Sequence, residues 1–293
     1  MIYIAGSLNM DLVVESPYIP KEGETLTGSG FFTNCGGKGA NQAVAAAKLG
    51  GSVKMCGAVG NDDFGSRQLS GLQSAGVDVS HIRKKEGVSS GIAMIIVTGG
   101  NNRIILDKGA NACLSADMLD EFLRDAKAGD VYLTQLENPI DVIGYGLRLA
   151  KEKGMLTVLN PAPADTSIAA YFSYVDLITP NETELALFGG KENLFAQGIR
   201  KIVTTLGGDG YEIATPKKAV HYPCEKVRVV DTTSAGDTLC GGLAVGLSEG
   251  MSLEEACAFG CRAATIACTR RGAQQSIPTR KEVETFDFAA ARE

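Results

Sequence analysis

The sequence predicts an α/β protein with a doubly wound, mostly parallel sheet and a small antiparallel sheet that forms a lid. Apolar, strand-like runs alternate with helical segments along most of the chain, which is typical of a parallel sheet covered by helices on both faces. Two segments break this alternation, because they are rich in β-branched and aromatic residues with Gly and Asn turns. We expect a single domain over residues 1–293, with lid inserts at approximately 12–34 and 85–107.

The alternating elements can be placed along the chain from their apolar patterns. The predicted strands are Ile2–Ala5, Val53–Val59, Val131–Leu136, Leu156–Leu159, Val175–Ile178 and Ile202–Leu206. The predicted helices include Ala40–Leu49, Phe64–Ala75, Ala116–Ala126 and Ile140–Lys153. Ligands of such sheets bind outside the carboxyl ends of the strands, so the residues that follow strands are the functional candidates.

Composition narrows the class of protein. The chain has a net charge of −6 and no block of Lys or Arg, so we expect no nucleic acid as its main partner. No apolar run is long enough to span a bilayer, and the N-terminal sequence lacks the features of a signal peptide. We therefore expect no membrane partner and a cytoplasmic location. The eight cysteines form no C-x-x-C pair, which favours core residues in a reducing compartment over structural zinc.

The stretch Val229–Leu239 has the most informative chemistry. An apolar pair leads into small hydroxyl residues, Ala-Gly-Asp and an aliphatic segment, which predicts a strand end, a turn and a helix start. N–H groups at a helix start attract anions, and Ala235 and Gly236 allow close approach of a ligand. Asp237 would suit a base that takes a proton from a hydroxyl, which indicates phosphoryl transfer to an alcohol. The alternative is that Asp237 and Gly236 only begin the helix.

Two earlier segments place polar residues and glycines near the same predicted edge. Asn9 and Asp11 follow the first strand and would share a face if that strand continues, which suits sugar hydroxyls or an ordinary turn. The run Gly36–Gly39 precedes an alanine-rich helix. This run is not a P-loop, because the early glycine is absent and Gly39 replaces the Ser or Thr that would hold magnesium.

Further candidates follow later strands. Glu137 adds another acid at the predicted edge of the sheet. Asn181 and Glu184 are explained as a helix cap, or as groups that place water around magnesium. The segment Thr204–Gly210 is a strand followed by a glycine turn, which is either a hairpin turn or a nucleotide platform.

These residues together resemble the PfkB family of sugar kinases over nearly the whole chain. The matching motifs are Gly-Ser-Leu-Asn-Met-Asp, Gly-Gly-Lys-Gly-Ala-Asn-Gln, Gln-Leu-Glu, Asn-Pro-Ala-Pro, Pro-Asn-Glu-Thr-Glu, Thr-Leu-Gly, Asp-Thr-Thr-Ser-Ala-Gly-Asp-Thr and Gly-Ala-Gln. The resemblance implies the family's α/β fold and ATP-dependent phosphorylation of the 5-hydroxyl of D-ribose. The alternatives are another sugar or nucleoside (deoxyribose, a fructose-type hexose, adenosine or pseudouridine), or a sugar- or nucleotide-binding protein without turnover.

The resemblance also implies roles for individual residues. Asp237 would be the general base, and the backbone of Ala235, Gly236 and Asp237 would form the anion hole. The sugar would be held by Asn9, Asp11, Gly37, Lys38, Gly39, Asn41, Glu137 and Asp237. The ATP site would be lined by Asn181, Thr205, Gly207, Gly210, Gly236 and Cys261. A potassium ion would be surrounded by Asp231, Thr233, Ala267, Arg270, Gly272 and Ser276, and Glu184 would place Mg²⁺ through water.

The resemblance further implies that the lid inserts make the contact of a homodimer. Two features depart from the family pattern. The segment between Gly190 and Ile202 is short, as if a helix on the nucleotide side were trimmed, and Cys261 stands where His or Asn is more usual near the adenine. Both features concern recognition of the base and leave the phosphoryl-transfer residues intact.

Overall fold

The computed structural model of the chain describes residues 1–99 and 101–292. Two predicted ranges extend beyond these residues. Gly100 in the insert 85–107 and Glu293 at the end of the domain 1–293 lie outside the described residues.

The described residues form two sheets. The strands are β1 (Ile2–Ala5), β2 (Asn9–Glu15), β3 (Ser29–Gly36), β4 (Val53–Gly60), β5 (Asp78–Lys85), β6 (Gly91–Thr98), β7 (Asn101–Asp107), β8 (Val131–Thr134), β9 (Leu156–Leu159), β10 (Leu177–Ile178), β11 (Ile202–Thr205), β12 (Tyr211–Thr215) and β13 (Lys218–Tyr222). The large sheet has the order β13-β12-β11-β10-β9-β8-β1-β4-β5, and the small one has the order β3-β2-β6-β7. The large sheet is parallel from β5 to β11 and ends in an antiparallel hairpin, so the predicted fold class is confirmed.

Helices cover both faces of the large sheet. They are α1 (Lys38–Lys48), α2 (Asp63–Ser74), α3 (Ala116–Phe122), α4 (Ile140–Glu152), α5 (Glu182–Leu187), α6 (Gly190–Ala196), α7 (Ala235–Ser248), α8 (Leu253–Ala267) and α9 (Arg280–Thr285). Short 3₁₀ segments occur at Gly109–Cys113, Thr166–Tyr174, Gly207–Asp209 and Ala290–Arg292. Within the described ranges, no helix combines the length and apolar character needed to cross a membrane.

Strand β1 shows why helices must cover both faces of the large sheet. Its alternate residues point to opposite faces, as in any strand. Ile2 and Ile4 are fully buried in the core that contains residues of α1, α7 and α8, whereas Tyr3 and Ala5 belong to the core that contains residues of α3 and α4. A strand that is apolar at every position therefore lies between two helical layers, as its continuous apolar run predicts.

Two parts of the large sheet differ from the sequence prediction. Strand β5 is an edge strand with a mostly polar sequence, so it lacks the apolar run that identified its neighbours. The hairpin of β12 and β13 at the opposite edge adds two strands that are absent from the strands predicted from the sequence. The short segment between Gly190 and Ile202 contains the seven-residue helix α6.

The small sheet is formed by the two predicted inserts with different bounds, and we keep the name lid for it while its role as a lid stays a prediction. The chain leaves the large sheet after Ala5 and enters the lid at Asn9, so Asn9 and Asp11 lie on a lid strand rather than on an extension of β1. The second insert begins at β6, because Lys85 still belongs to the large sheet. The outer pairs of the lid are antiparallel, whereas the central pair of β2 and β6 is parallel.

Candidate active site

The start of α7 exposes backbone N–H groups to a cavity. Ser234 precedes the helix with φ 61° and ψ 11°, and it is the one non-glycine residue among the described residues with a positive φ. The first helical hydrogen bond runs from the Thr238 N–H to the Ser234 carbonyl at 2.8 Å. The N–H groups of Gly236 and Asp237 come before this bond, so the helix offers them no carbonyl partner. A Cβ at Gly236 would meet no described protein atom within 4 Å. The open backbone and the helix dipole make this turn suitable for an anion.

Asp237 is buried at the edge of this anion site. Its Oδ2 accepts a hydrogen bond from Asn41 Nδ2 and its Oδ1 accepts one from Gln42 Nε2, both at 3.0 Å. Burial raises the pKa of Asp237, and the nearby Lys38 ammonium and the two amide donors oppose that rise. The carboxylate is therefore held in one orientation, with acceptor capacity left on both oxygens. A positioned carboxylate of raised pKa is suited to accept a proton from a hydroxyl.

Lys38 supplies a positive charge beside Asp237. It is the first residue of α1 and borders the same cavity as Asp237 and Glu184. Burial lowers the pKa of Lys38, but the negative charges of Asp237, Glu137 and Glu184 outweigh that effect and the net pKa is raised. Lys38 is therefore a cation at neutral pH, next to backbone N–H groups that also favour negative charge.

Glu137 is the centre of a buried polar cluster on the lid side of the site. Its Oε2 accepts hydrogen bonds from Asn9 Nδ2 at 3.3 Å and from the Lys38 N–H at 3.2 Å, and it also accepts one from the Ser7 hydroxyl. Asn9 in turn accepts a bond from Asn111 Nδ2 at 2.7 Å. Asn9, Asn111 and Glu137 line a cavity of about 160 Å³. This set of fixed acceptors and donors is suited to the hydroxyl groups of a sugar.

Asp11 lies on the inner side of the lid. Burial and the charges of Glu137 and Asp237 raise the pKa of Asp11 to about 7. Asp11 borders an open cleft of about 530 Å³ between the lid and the loops before α7 and after α8. Other residues around this cleft include Glu15, Asn34, Asn102, Asp231, Thr233, Arg271 and Gln275.

The glycines predicted for the sugar site bring two backbones together. Gly37 has φ +91°, and a Cβ there would lie 2.6 Å from the backbone nitrogen of Asn9. A Cβ at Gly39 would lie 2.6 Å from the carbonyl carbon of Gly6. Both glycines therefore let the start of α1 pack against the turn after β1, and their contact with a sugar stays a prediction. Asn41, also predicted to bind the sugar, is bonded to Asp237 and to the Ser234 hydroxyl.

A separate cavity of about 260 Å³ includes Ala235 and Gly236 of α7 in its lining. Five of the six residues predicted for the ATP site line it, namely Thr205, Gly207, Gly210, Gly236 and Cys261. The sixth, Asn181, borders an adjoining cavity of about 250 Å³ together with Lys38, Glu184 and Asp237. Both cavities are lined by Thr205, Thr232, Ala235 and Gly236. The predicted nucleotide residues therefore lead directly to the anion site and Asp237.

Asn181 and Glu184 form a helix cap and also face a cavity. Asn181 Oδ1 accepts the Glu184 N–H at 2.8 Å, and Glu184 Oε2 accepts the Asn181 N–H at 2.9 Å. This capping box agrees with the simpler interpretation of the motif. Burial raises the pKa of Glu184, and its carboxylate remains close enough to Lys38 to interact with it.

The residues predicted for potassium lie on two paired loops. The Val230 N–H donates to the Cys268 carbonyl at 2.8 Å, and the Gly272 N–H donates to Asp231 Oδ2 at 3.0 Å. Asp231 Oδ1 also accepts bonds from the N–H and the hydroxyl of Thr233, at 2.9 and 2.6 Å. Ala267, Arg270 and Ser276 belong to the same second loop or to the end of α8 before it.

Sequence reasoning missed several polar residues of the site. Gln42 and Gln135 are fully buried, and Gln42 Nε2 contacts both Asp237 Oδ1 and Asn160 Oδ1. Ser7 and Asn111 support Glu137 and Asn9, as described above. Ser7, Gln42, Gln135 and Asn160 stand within the motifs quoted for the family, but Asn111 has no such signal.

Comparisons with known proteins agree with this geometry. The family model described as pfkB family carbohydrate kinase matches residues 1–280. The chain is 38% identical to the ribokinase of Haemophilus influenzae over 296 residues, which cover 97% of each chain. It is 35% identical to the deoxyribokinase of Salmonella typhimurium over 300 residues, which cover 98% of this chain and 97% of that one. The structure of Arabidopsis thaliana ribokinase complexed with ribose and ATP has a TM-score of 0.86 and 31% identity, covering 98% of this chain and 99% of that one. The family resemblance inferred from the sequence is thus confirmed, and the fold is ribokinase-like.

Proposed function

The chain belongs to the pfkB family of carbohydrate kinases, and from this premise we propose that it transfers the γ-phosphoryl group of ATP to the 5-hydroxyl of D-ribose. The observation that carries the proposal is the start of α7, where open N–H groups lie beside the buried carboxylate of Asp237. The similarity to ribokinases, one of them solved with ribose and ATP, supports these two substrates.

Asp237 acts as the general base in this mechanism. Its carboxylate takes the proton of the 5-hydroxyl, the oxygen attacks the γ-phosphorus, and the bond to the β-phosphate oxygen breaks to release ADP. The N–H groups of Gly236 and Asp237 donate to the oxygens of the transferred group, and Lys38 adds positive charge. The Ala235 N–H, also assigned to the anion hole, donates to the Thr232 carbonyl at 3.2 Å. We therefore expect the Ala235 N–H to contribute less than the other two N–H groups to stabilising the transferred group.

The sugar is bound on the lid side. Glu137 and Asp11 are carboxylate acceptors for its hydroxyl groups, and Asn9 adds an amide. The residues assigned to the sugar on the family resemblance alone are Gly37, Lys38, Gly39 and Asn41.

Magnesium is the metal that we expect with ATP. Among residues 1–99 and 101–292, no group of three or more His, Cys, Asp or Glu side chains is arranged to hold a metal. Mg²⁺ keeps several waters and binds through one or two carboxylates together with substrate phosphates, so it needs no such group. Glu184 borders the cavity of Lys38 and Asp237 and suits contact with Mg²⁺ through water. A bound Mg²⁺ would neutralise charge on the phosphates.

Potassium is proposed for the paired loops before α7 and after α8. Asp231 ties these loops together through the N–H of Gly272, and it also accepts the N–H of Thr233 in its own loop. The remaining ligands would be oxygens of Ala267, Arg270 and Ser276, and a cation there would fix the segment that leads into Ser234. We expect lower activity when potassium is replaced by a large organic cation, and unchanged activity would remove this site from the account.

We also propose a homodimer through the lid, in the cytoplasm. Phe31, Met94, Ile104, Ile105 and Leu106 are exposed on this small sheet, and Phe31 and Ile105 are each 67% exposed. Met94 and Ile105 are opposite each other in neighbouring strands and share one face of this sheet. Exposed apolar side chains that adjoin on one face mark an interaction site. Ile105→Lys should shift the sedimentation coefficient from dimer to monomer. A wild-type protein that sediments as a monomer would contradict the dimer. The cytoplasmic location stays a prediction from the sequence.

Deoxyribose is the second candidate substrate, because the similarity to a deoxyribokinase extends over the same length at 35% identity. ADP release distinguishes the candidates when purified protein receives Mg²⁺, ATP and one compound from a panel of D-ribose, deoxyribose, fructose, adenosine and pseudouridine. A signal with D-ribose alone is the expected result. A signal with another compound would keep the mechanism and change the substrate, whereas ATP binding without any transfer would favour a binding protein.

A further inference from the structure

We propose that Gln42 is a positioning residue for the general base, acting as the central link of a buried amide chain from Gln135 through Gln42 to Asp237. This inference rests on the proposed role of Asp237 as the base. It adds a residue that contacts neither the sugar nor the nucleotide cavities but determines how the base is oriented.

The contacts of Gln42 use its whole amide group. Its Nε2 donates to Asp237 Oδ1 at 3.0 Å and to Asn160 Oδ1 at 3.1 Å, while its Oε1 accepts from Gln135 Nε2 at 2.5 Å. Gln42 and Gln135 are fully buried. An amide oxygen and nitrogen are distinguished by the network around them, so the direction of each bond needs an anchor.

A backbone carbonyl supplies that anchor. Asn160 Nδ2 donates to the Thr179 carbonyl at 3.0 Å, and a carbonyl can only accept, so Asn160 must present its oxygen to Gln42. Gln42 must then present its nitrogen to Asn160, which also directs that nitrogen to the Asp237 carboxylate. The donor orientation at the base is thus determined by the backbone after β10 and not by the substrate.

The two amide donors of Asp237 differ in surroundings. Asn41 also bonds the Ser234 hydroxyl, at the turn that a nucleotide would touch. Gln42 faces the interior and has only buried polar partners. Loss of Gln42 would leave Oδ1 without its donor, so the carboxylate could rotate about χ2, and the pKa of Asp237 would rise because this donor lowers it.

The test compares Gln42→Leu with the wild-type full-length protein over pH 5.5–9. We expect kcat at pH 7 to fall roughly 10- to 100-fold, part of what a positioned base contributes, with KM for ATP little changed. The acid limb of the pH profile of kcat should move to higher pH. Gln135→Leu should shift the limb in the same direction by less, since it removes only the bond that orients Gln42.

Gln68→Leu is the matched control. Gln68 is an equally buried glutamine, whose Nε2 donates to backbone carbonyls of Asn9 and Gly36 and not to Asp237. Its loss should alter KM for the sugar and leave the acid limb in place. If Gln42→Leu retains kcat, or loses it with the acid limb unmoved as in the control, the positioning role is wrong.

A second measurement does not depend on turnover. A ¹³C NMR titration of the Asp237 carboxyl carbon reports its pKa in the wild type and in Gln42→Leu, or in Gln135→Leu if the first variant does not fold. We expect a higher pKa in the variant. An unchanged pKa would overturn the inference even if every sugar on the panel were refused, a result that would separately refute the proposed function.

Discussion

On the sugar side of the site, side chains converge, since Glu137 accepts bonds from both the Ser7 hydroxyl and the Asn9 amide. On the nucleotide side, glycines leave the backbone bare, and a Cβ at Gly208 or Gly236 would meet no described protein atom within 4 Å. In the proposed assignment, the first region selects the sugar by fixed donors and acceptors, whereas the second selects the nucleotide by shape and backbone. Substitutions of polar side chains in the first region should therefore change the binding of the sugar. A larger side chain in place of a glycine in the second region should interfere with the phosphates of ATP.

The largest effect is expected at the residue where the two regions meet. Asp237→Asn removes the base but keeps its size, so kcat should fall by about 10³-fold, within the range for loss of a general base. ATP binding, measured by calorimetry, should largely survive because the N–H groups of the α7 turn remain. Activity close to that of the wild type would refute the assignment of the base.

Gly236→Ala distinguishes an effect on ligand binding from an effect on protein packing. The added methyl group has room in the protein and replaces a helical glycine, so stability should be unchanged or up to about 1 kcal/mol higher. The same methyl group would occupy space proposed for the transferred phosphoryl group, and we expect kcat to fall by about 10²-fold, the order of one lost oxyanion contact. Thermal unfolding and kinetics check both halves of this expectation.

Gly208→Ala is the matched control on the nucleotide side. Gly208 is also a glycine that faces open space, but it lines the nucleotide cavity and not the adjoining cavity that Asp237 borders. It should alter KM for ATP and leave kcat in place. Equal losses of kcat in both variants would mean that the α7 turn has no special role.

Asp11 should make sugar binding depend on pH. With a pKa of about 7, the Asp11 carboxylate is mostly ionised at pH 8 and mostly protonated at pH 6. KM for D-ribose should therefore rise about tenfold as the pH falls from 8 to 6. Asp11→Asn should weaken sugar binding and flatten this dependence. A wild-type KM that stays constant from pH 6 to 8 would contradict the role of Asp11 as an ionised acceptor.

The same group links pH to stability, with the opposite sign from a paired carboxylate. Its folded-state pKa lies above the ordinary value of 3.8, so between these values the folded protein binds more protons than the unfolded chain. The contribution of Asp11 to stability therefore falls as pH rises from about 4 to 7. Urea unfolding of Asp11→Asn should lack this part of the pH dependence.

The smallest effect concerns three thiols on the nucleotide side. Cys224, Cys261 and Cys268 line the nucleotide cavity, so bound ATP should slow their alkylation. Mass spectrometry of protein treated with iodoacetamide measures each thiol separately. Cys113, partly exposed and remote from the cavity, is the internal control. Equal protection of Cys113, or no protection of Cys224, would place ATP elsewhere.

The sequence predicts the centre of the large sheet better than its edges. Strands such as β4 and β9 are buried on both faces, so their apolar runs identify them directly. Strand β5 is half-exposed and polar, and only its pairing with β4 makes it a strand. The parallel pairing of β2 and β6 joins segments about 80 residues apart, which no local pattern encodes.

The same limit applies to the site. Asp237 and Gly236 lie in one short motif, so the chemistry of their residue types is visible in the sequence. The link from Gln135 through Gln42 to Asp237 joins residues that are 93 and 195 positions apart, and a buried glutamine has no pattern of its own. Asn111 supports Asn9 across 102 positions for the same reason.

The most direct test of the central claim is the structure of the product that the wild-type protein makes from ATP and D-ribose. Phosphorus–proton correlation NMR identifies which hydroxyl receives the phosphoryl group. We expect ribose 5-phosphate with one ADP for each product molecule, formed about 10³-fold more slowly by Asp237→Asn. Phosphate on another hydroxyl, or inorganic phosphate without a sugar product, would contradict the central claim.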